Sequence, residues 1–140
     1  MPASPAHKYK VTILEQHLDA YGHVNNVAYI ALFEEARWDL ITAAGCGLDE
    51  VKSSGVGPVV LEIQTKFRKE LRLRQNIVIE TTTESWQGKV GVIRQIMTDA
   101  TGTIYCEARF TMGLFDLGAR KLIRLNSKWA NVLGCSTEDL

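Results

Sequence analysis

Five residues near the N-terminal end carry the groups best suited to chemistry: Asp19, Gly22, His23, Asn25 and Asn26. An apolar-patterned run over residues 27–44 follows directly and predicts a helix that begins beside them. The start of a helix leaves backbone N–H groups unpaired and carries partial positive charge, so it can hold an oxygen that gains negative charge. A carboxylate just upstream could then act as nucleophile or as general base. The spacing predicts a hydrolytic site where the loop meets the helix.

Each of these side chains also has a simpler structural interpretation. An Asp shortly before a Gly is typical of an Asx turn, so Asp19 alone would indicate only a stabilised loop. His23 could orient a substrate or stabilise charge, or it could bond to backbone or lie at the surface. Asn25 and Asn26 are favoured helix N-caps, whereas their backbone N–H groups would meet a carbonyl oxygen docked at the helix start. The functional interpretation therefore depends on the occurrence of these residues together, directly before a predicted helix.

Other site chemistries have little support. His17, Asp19 and His23 lack a clear fourth ligand, so no metal site is predicted. The sequence contains no G-x-S-x-G elbow and no glycine-rich nucleotide fingerprint, so neither a serine triad nor a bound cofactor is predicted. One group of basic residues fits either the solvent-exposed face of a strand or a binding site for the phosphates of a nucleotide-like carrier. It comprises Lys66, Arg68, Lys69, Arg72 and Arg74.

A long helix must position the site. Apolar residues recur at spacings of three and four and define one helix face, which consists of Tyr29, Phe33, Ala36, Leu40 and Ala43. Either Gly45 or Gly47 is a natural end for this helix.

Strands surround the helix in the sequence. A first strand is predicted over residues 9–15. Four more strands are predicted over residues 59–68, 76–86, 90–99 and 104–114, and we expect hairpins to connect them, with a turn at 87–89. A short helix is predicted over residues 127–133. One strand, one helix and four strands imply an antiparallel sheet with the helix on one face. Because such a sheet keeps edge strands, we also predict pairing with a second copy of the chain.

Composition limits the class of protein. The 140 residues suit one domain over 1–140, with residues 1–8 and about 126–140 peripheral. Sixteen basic and sixteen acidic side chains cancel, so no nucleic-acid partner is expected. The sequence contains neither a secretory h-region nor a run long enough to span a bilayer, so no membrane association is expected. Three widely spaced cysteines suit free thiols in a cytoplasmic protein.

The segment from His17 to Arg37 reads HLDAYGHVNNVAYIALFEEAR. It closely resembles the start of the hot-dog fold acyl-CoA thioesterases of the 4-hydroxybenzoyl-CoA thioesterase-like group. The resemblance implies an α+β hot-dog fold, in which a five- or six-stranded antiparallel sheet wraps a long central helix. It also implies a homodimer or homotetramer that hydrolyses an acyl-CoA thioester without a metal or organic cofactor.

The resemblance assigns roles to residues of the segment. Asp19 matches the catalytic carboxylate, and Asn26 matches the position whose backbone N–H polarises the thioester carbonyl. His23 is expected to assist catalysis. Substrate contacts are expected from Gly22, Val24, Asn25, Tyr29 and Phe33. In this family the pocket lies between two subunits.

Three alternatives stay open at this point. The segment is also similar to acyl-carrier-protein thioesterases, whose acid and histidine match Asp19 and His23, but Tyr21 stands where those enzymes are expected to have an asparagine. A non-catalytic module that binds acyl thioesters is the second alternative. A dehydratase or hydratase of the same fold is the third. Release of free thiol would separate hydrolysis from the last two.

Overall fold

The computed structural model describes residues 6–136. Its helices are α1 (Asn26–Ala43), α2 (Leu48–Ser54) and α3 (Ser127–Leu133), and one 3₁₀ turn covers Glu15–His17. Its strands are β1 (His7–Thr12), β2 (Val56–Phe67), β3 (Asn76–Gln87), β4 (Val90–Thr98), β5 (Ile104–Asp116) and β6 (Lys121–Ile123). The predicted α+β architecture of a long helix against an antiparallel sheet is confirmed. The short elements α2 and β6 had not been predicted.

Helix α1 begins where the amide side chains predict it. Asn25 is the N-cap, with extended backbone angles (φ −62°, ψ 138°), and its side chain accepts a hydrogen bond from the Val27 N–H. The helix ends before Gly45, which has a φ of +82° that favours glycine. Both boundaries therefore follow from local backbone chemistry.

The buried face of α1 differs in part from the predicted one. Tyr29, Phe33 and Ala36 are buried as expected, but Ala43 is exposed. Leu40 is half-buried against the core, and Leu32 and Ile41 are buried although they were not assigned to this face. The helix is apolar on more than one side, so the spacing of apolar residues alone did not define its core face.

The sheet runs in the order β1-β3-β4-β5-β2 and is antiparallel throughout, with β6 also paired to β5. Strands β3, β4 and β5 form the predicted meander. The prediction that four strands follow one another as hairpins is wrong for β2, which lies at the far edge beside β5. Strand β1 takes the place next to β3, with Tyr9 opposite Ile79. The connection over residues 68–75 therefore runs from β2 at one edge of the sheet to β3, which lies next to β1 at the opposite edge.

The core lies between α1 and the sheet. On β5 buried residues recur at every second position, at Cys106, Ala108, Phe110 and Met112. Phe33 of α1 packs edge-on against Phe110, with 5.8 Å between ring centroids.

Helix α3 belongs to the core, so the expectation of a peripheral C-terminal segment is wrong for its described part. Trp129, Ala130 and Leu133 are buried. The Leu133 carbonyl accepts a 2.6 Å hydrogen bond from the Thr83 hydroxyl. The large apolar area of the indole explains why this short helix packs inward. Residues 1–5 and 137–140 of the predicted peripheral segments lie outside the described residues.

Edge strand β2 exposes an apolar side. Leu61, Ile63 and Phe67 are 48%, 46% and 52% exposed, and the pairing with β5 shifts register between Val60 and Glu62. The side of β2 that carries these residues is therefore not buried within a single chain. The chain itself leaves this apolar edge uncovered.

Candidate active site

Asp19 holds the loop before α1 through one of its two carboxylate oxygens. Its Oδ1 accepts hydrogen bonds from the backbone N–H groups of Tyr21 at 2.9 Å and His23 at 3.3 Å. Its own N–H donates to the His23 carbonyl at 2.8 Å. Gly22 supplies the positive φ of +79° that closes this turn. The Asx turn is thus present, while Oδ2 accepts no hydrogen bond from residues 6–136.

The turn is fixed to the body of the protein on both sides. Val24 is 6% exposed and forms an isolated bridge with Leu18. The Asn25 N–H donates to the His17 carbonyl at 2.8 Å. These contacts set the position of the Asp19 carboxylate relative to the first turn of α1.

The start of α1 keeps one backbone donor available. The Val27 N–H lies 3.0 Å from the side-chain oxygens of both Asn25 and Asn26. The Ala28 N–H donates to the Asn25 carbonyl at 2.8 Å. Within residues 6–136 the Asn26 N–H has no acceptor. Asn25 therefore acts as a cap, and the donor left for another molecule is the backbone N–H of Asn26.

Both features line one open cleft of about 400 Å³. One wall comes from the loop and helix start, with Asp19, His23, Val24, Asn26 and Tyr29. The other wall comes from the end of β2 and the residues after it, Phe67, Arg68, Lys69 and Glu70. Glu70 had not been identified from the sequence. No local signal could have found it, since only the fold brings residues fifty positions apart together.

His23 faces the second wall and not the Asp19 carboxylate. Its Nε2 lies 3.4 Å from Oε1 of Glu70, and both side chains are more than half exposed. Of the groups of His23, the backbone N–H contacts the Asp19 carboxylate and the imidazole does not. The imidazole is therefore placed to act on a group inside the cleft, without a direct relay to Asp19.

Two aromatic residues expected near the substrate have different positions. Tyr29 lines the cleft and packs edge-on against Phe67 at 5.1 Å between ring centroids. Burial raises the pKa of the Tyr29 phenol, so it stays neutral at physiological pH. Phe33 is fully buried and lines no part of this cleft. Its ring fills the space between α1 and β5, so no contact with a molecule in this cleft is expected from Phe33.

The members of the basic group on β2 and its following loop have different surroundings. Arg68 lines the cleft and also pairs with Glu107 at 3.1 Å, whereas Arg74 pairs with Glu15 at 2.6 Å. Lys69 lines the cleft and lies 5.7 Å from the centre of the Tyr105 ring. Part of the group therefore stabilises the surface, as the simpler interpretation predicted.

Residues 6–136 also bear on two other possibilities, a metal site and a membrane span. No group of three or more His, Cys, Asp or Glu side chains within this range is arranged to hold a metal ion. None of the described helices is long and apolar enough to cross a membrane.

Comparison with known proteins gives a consistent result. Residues 13–133 match the model of the thioesterase-like superfamily. The long-chain acyl-CoA thioesterase FadM of Escherichia coli is 28% identical over 120 residues, which cover 85% of this chain and 90% of FadM. The chloroplastic acyl-acyl carrier protein thioesterase ATL3 of Arabidopsis thaliana is 29% identical over 77 residues, 55% of this chain and 40% of ATL3.

A solved structure agrees over nearly the whole chain. YbaW, described as a probable thioesterase from Escherichia coli, superimposes with a TM-score of 0.81 at 26% identity. The match covers 91% of this chain and 96% of YbaW. The expected hot-dog fold is confirmed.

Proposed function

Because the chain belongs to the thioesterase-like superfamily and is a thioester hydrolase, we propose that it hydrolyses acyl-CoA thioesters in the cleft beside Asp19. The observation that carries this proposal is the pairing of two groups in one cleft. Within residues 6–136, Asp19 offers a carboxylate oxygen without a hydrogen bond, and Asn26 offers an unpaired N–H at a helix start. The similarity to FadM, an acyl-CoA thioesterase, supports CoA as the carrier.

In the proposed reaction the thioester carbonyl oxygen accepts a hydrogen bond from the Asn26 N–H. This donor stabilises the negative charge that develops as the carbonyl carbon becomes tetrahedral. The charge lies at the positive end of the α1 dipole, which adds to the stabilisation. The donor needs no rearrangement, since the caps on Val27 and Ala28 already fix the first turn.

Asp19 supplies the attack by one of two routes. As nucleophile, its Oδ2 bonds to the carbonyl carbon to give a tetrahedral intermediate. The C–S bond of this intermediate then breaks, CoA leaves as the thiolate, and water hydrolyses the mixed anhydride that remains on Asp19. As general base, Oδ2 takes a proton from a water that attacks the same carbon, and CoA leaves in the same way. Both routes use the free oxygen and keep Oδ1 in the turn.

His23 and the other lining residues are assigned supporting roles. The imidazole, beside Glu70, is proposed to stabilise charge on the substrate within the cleft. Gly22, Val24 and Asn25 shape the turn that presents Asp19, and Tyr29 contacts the bound substrate.

A second copy of the chain is proposed to complete the pocket. The exposed apolar side chains of β2 lie on an unpaired sheet edge, and Phe67 at its end lines the cleft. Pairing of this edge with a second copy would cover both the apolar side chains and the free backbone groups. We therefore propose a homodimer, or a homotetramer built from such dimers.

The first test is release of free thiol from a panel of acyl-CoAs by wild type and Asp19→Asn. Asparagine keeps an Oδ1 that can accept both turn hydrogen bonds, so the fold should persist. Loss of the carboxylate should lower turnover by about 10²-fold or more. Asp116→Asn is the matched control, because Asp116 Oδ1 accepts two backbone N–H groups in the same manner outside the cleft.

The outcomes separate the possibilities. An Asp19→Asn protein that keeps most of its activity would overturn the assignment of Asp19. If wild type is inactive on every acyl-CoA but cleaves acyl-carrier-protein thioesters, the carrier-protein alternative suggested by the similarity to ATL3 is correct. Inactivity on both classes would favour a module that binds acyl thioesters without cleaving them.

A further inference from the structure

Two of the described residues that line the cleft beside Asp19 are basic, Arg68 and Lys69. Arg68 pairs with Glu107 at 3.1 Å, so its charge already has a carboxylate partner. Within residues 6–136, no carboxylate oxygen lies within 4 Å of the Lys69 ammonium. Lys69 is therefore the basic side chain of this wall that can take an anion from another molecule.

The two carboxylates of the cleft are engaged elsewhere. Glu70 faces His23, with 3.4 Å between Oε1 and Nε2. Asp19 keeps Oδ1 in its turn, where it accepts from two backbone N–H groups. Any attraction of Lys69 to these carboxylates therefore acts across the open cleft, where water and salt weaken it.

Tyr105 of β5 fixes Lys69 both by its backbone and by its ring. Its carbonyl accepts hydrogen bonds from the N–H groups of Arg68 at 2.9 Å and Lys69 at 3.1 Å. The Lys69 Nζ lies 5.7 Å from the centre of the Tyr105 ring, within the range of a cation–π contact. The ring is buried, and its hydroxyl donates to Oδ2 of Asp99 at 2.6 Å. A fixed ring therefore holds the ammonium at one side of the cleft.

We propose that Tyr105 is a positioning residue that holds Lys69 to bind the phosphate at the end of a pantetheine arm. The inference rests on the proposed function, because this arm would carry the thioester that Asp19 attacks. CoA and acyl carrier proteins both attach the arm through such a phosphate, so the group is common to the two carriers. A lysine ammonium is a strong point-charge partner for phosphate oxygens. The ring restricts the ammonium before binding, which lowers the entropy lost when the phosphate binds.

The test is isothermal titration of the full chain with phosphopantetheine and with pantetheine, which lacks the phosphate. The ratio of the Kd for pantetheine to the Kd for phosphopantetheine isolates the contribution of the phosphate. In wild type this ratio should be about three or more, the size of one exposed charge pair. In Lys69→Met it should fall to about one. A ratio near one in wild type, or an unchanged ratio in Lys69→Met, would overturn the proposal.

Lys66→Met is the matched control, because it removes the same charge three residues earlier. Phe67 lines the cleft, so the adjacent Lys66 side chain points to the other side of the strand. There it shares a small depression with Arg94 and Glu107. Lys66→Met should keep the wild-type ratio. An equal fall in this control would assign the effect to general positive charge and overturn the role of Lys69.

Variants of Tyr105 test its positioning role. Tyr105→Phe keeps the ring and should keep the wild-type ratio. Tyr105→Met removes the ring and fills much of its space, so the ratio should fall toward that of Lys69→Met. Tyr105→Leu repeats the measurement with a side chain of another shape. A merely structural role would weaken the binding of both ligands alike and leave the ratio unchanged, and that result would overturn the positioning role.

Titration with CoA and with a holo acyl carrier protein distinguishes the two sources of the phosphate. The carrier that this chain uses should bind at least about tenfold more tightly than phosphopantetheine, since it adds contacts beyond the phosphate. None of these titrations needs hydrolysis. The expected ratios in a chain that releases no thiol would contradict the proposed function and support this inference, whereas thiol release with a ratio of one would do the reverse.

Discussion

Replacement of Asn26 by proline would test the proposed oxyanion donor without removing any other group of the backbone. Asn26 is the first residue of α1, and its N–H has no acceptor within residues 6–136. Proline lacks this N–H and is well tolerated at the first helical position. The preceding Asn25 already has the extended angles (φ −62°, ψ 138°) that a following proline requires. The change therefore removes the donor and leaves the helix intact.

The expected magnitude follows from the role of the donor. Removal of one oxyanion-hole donor typically lowers kcat by about 10²–10³-fold, or about 3–4 kcal/mol of transition-state stabilisation. The free energy of unfolding should change by less than about 1 kcal/mol, since no hydrogen bond of the N–H is lost. The Val27 N–H keeps the side chain of Asn25 as its acceptor.

The assay compares kcat for thiol release by wild type, Asn26→Pro and Asn26→Ala. Alanine keeps the N–H and removes the side chain, so Asn26→Ala should retain most of the wild-type rate. Urea unfolding of the three proteins checks that the helix is preserved. A stable Asn26→Pro protein with a wild-type rate would refute the proposed polarisation by this N–H. An equal loss of rate in Asn26→Ala would instead assign the role to the side chain.

Two further predictions concern stability and can be measured by urea unfolding at fixed protein concentration. Gln95→Met should lower the free energy of unfolding by about 4 kcal/mol. The change removes the charged hydrogen bond from Arg37 and the two neutral hydrogen bonds to the Phe33 carbonyl and the Thr81 hydroxyl. A loss below about 1 kcal/mol would contradict the stabilising role of these three hydrogen bonds. Gly91→Ala should cost about 3 kcal/mol or more, because the added carbon would lie 2.2 Å from the Trp86 ring. Gly22→Ala meets no atom within 4 Å and should cost only about 1–2 kcal/mol from its positive φ, so equal losses at both glycines would refute this ranking.

Features that depend only on neighbouring residues could be predicted from the sequence. The cap at Asn25, the Asx turn of Asp19 and the hairpin turn after Gln87 are local hydrogen-bonding patterns. The apolar alternation of β5 gave its buried face correctly, since successive side chains of a strand point to opposite sides. The catalytic hypothesis at Asp19 and Asn26 came from the same short segment. Their placement in one cleft follows from the few residues that separate them.

Which distant segments meet depends on how the whole chain packs, and this could not be predicted. The tertiary structure placed β2 beside β5, and so brought Lys69 and Glu70 to the wall opposite Asp19. It also turned His23 toward Glu70, and it buried Phe33 against β5. These outcomes depend on strand order and on how apolar faces are shared among elements. Such choices are made by the packing of the whole chain, and no pattern within a few residues records them.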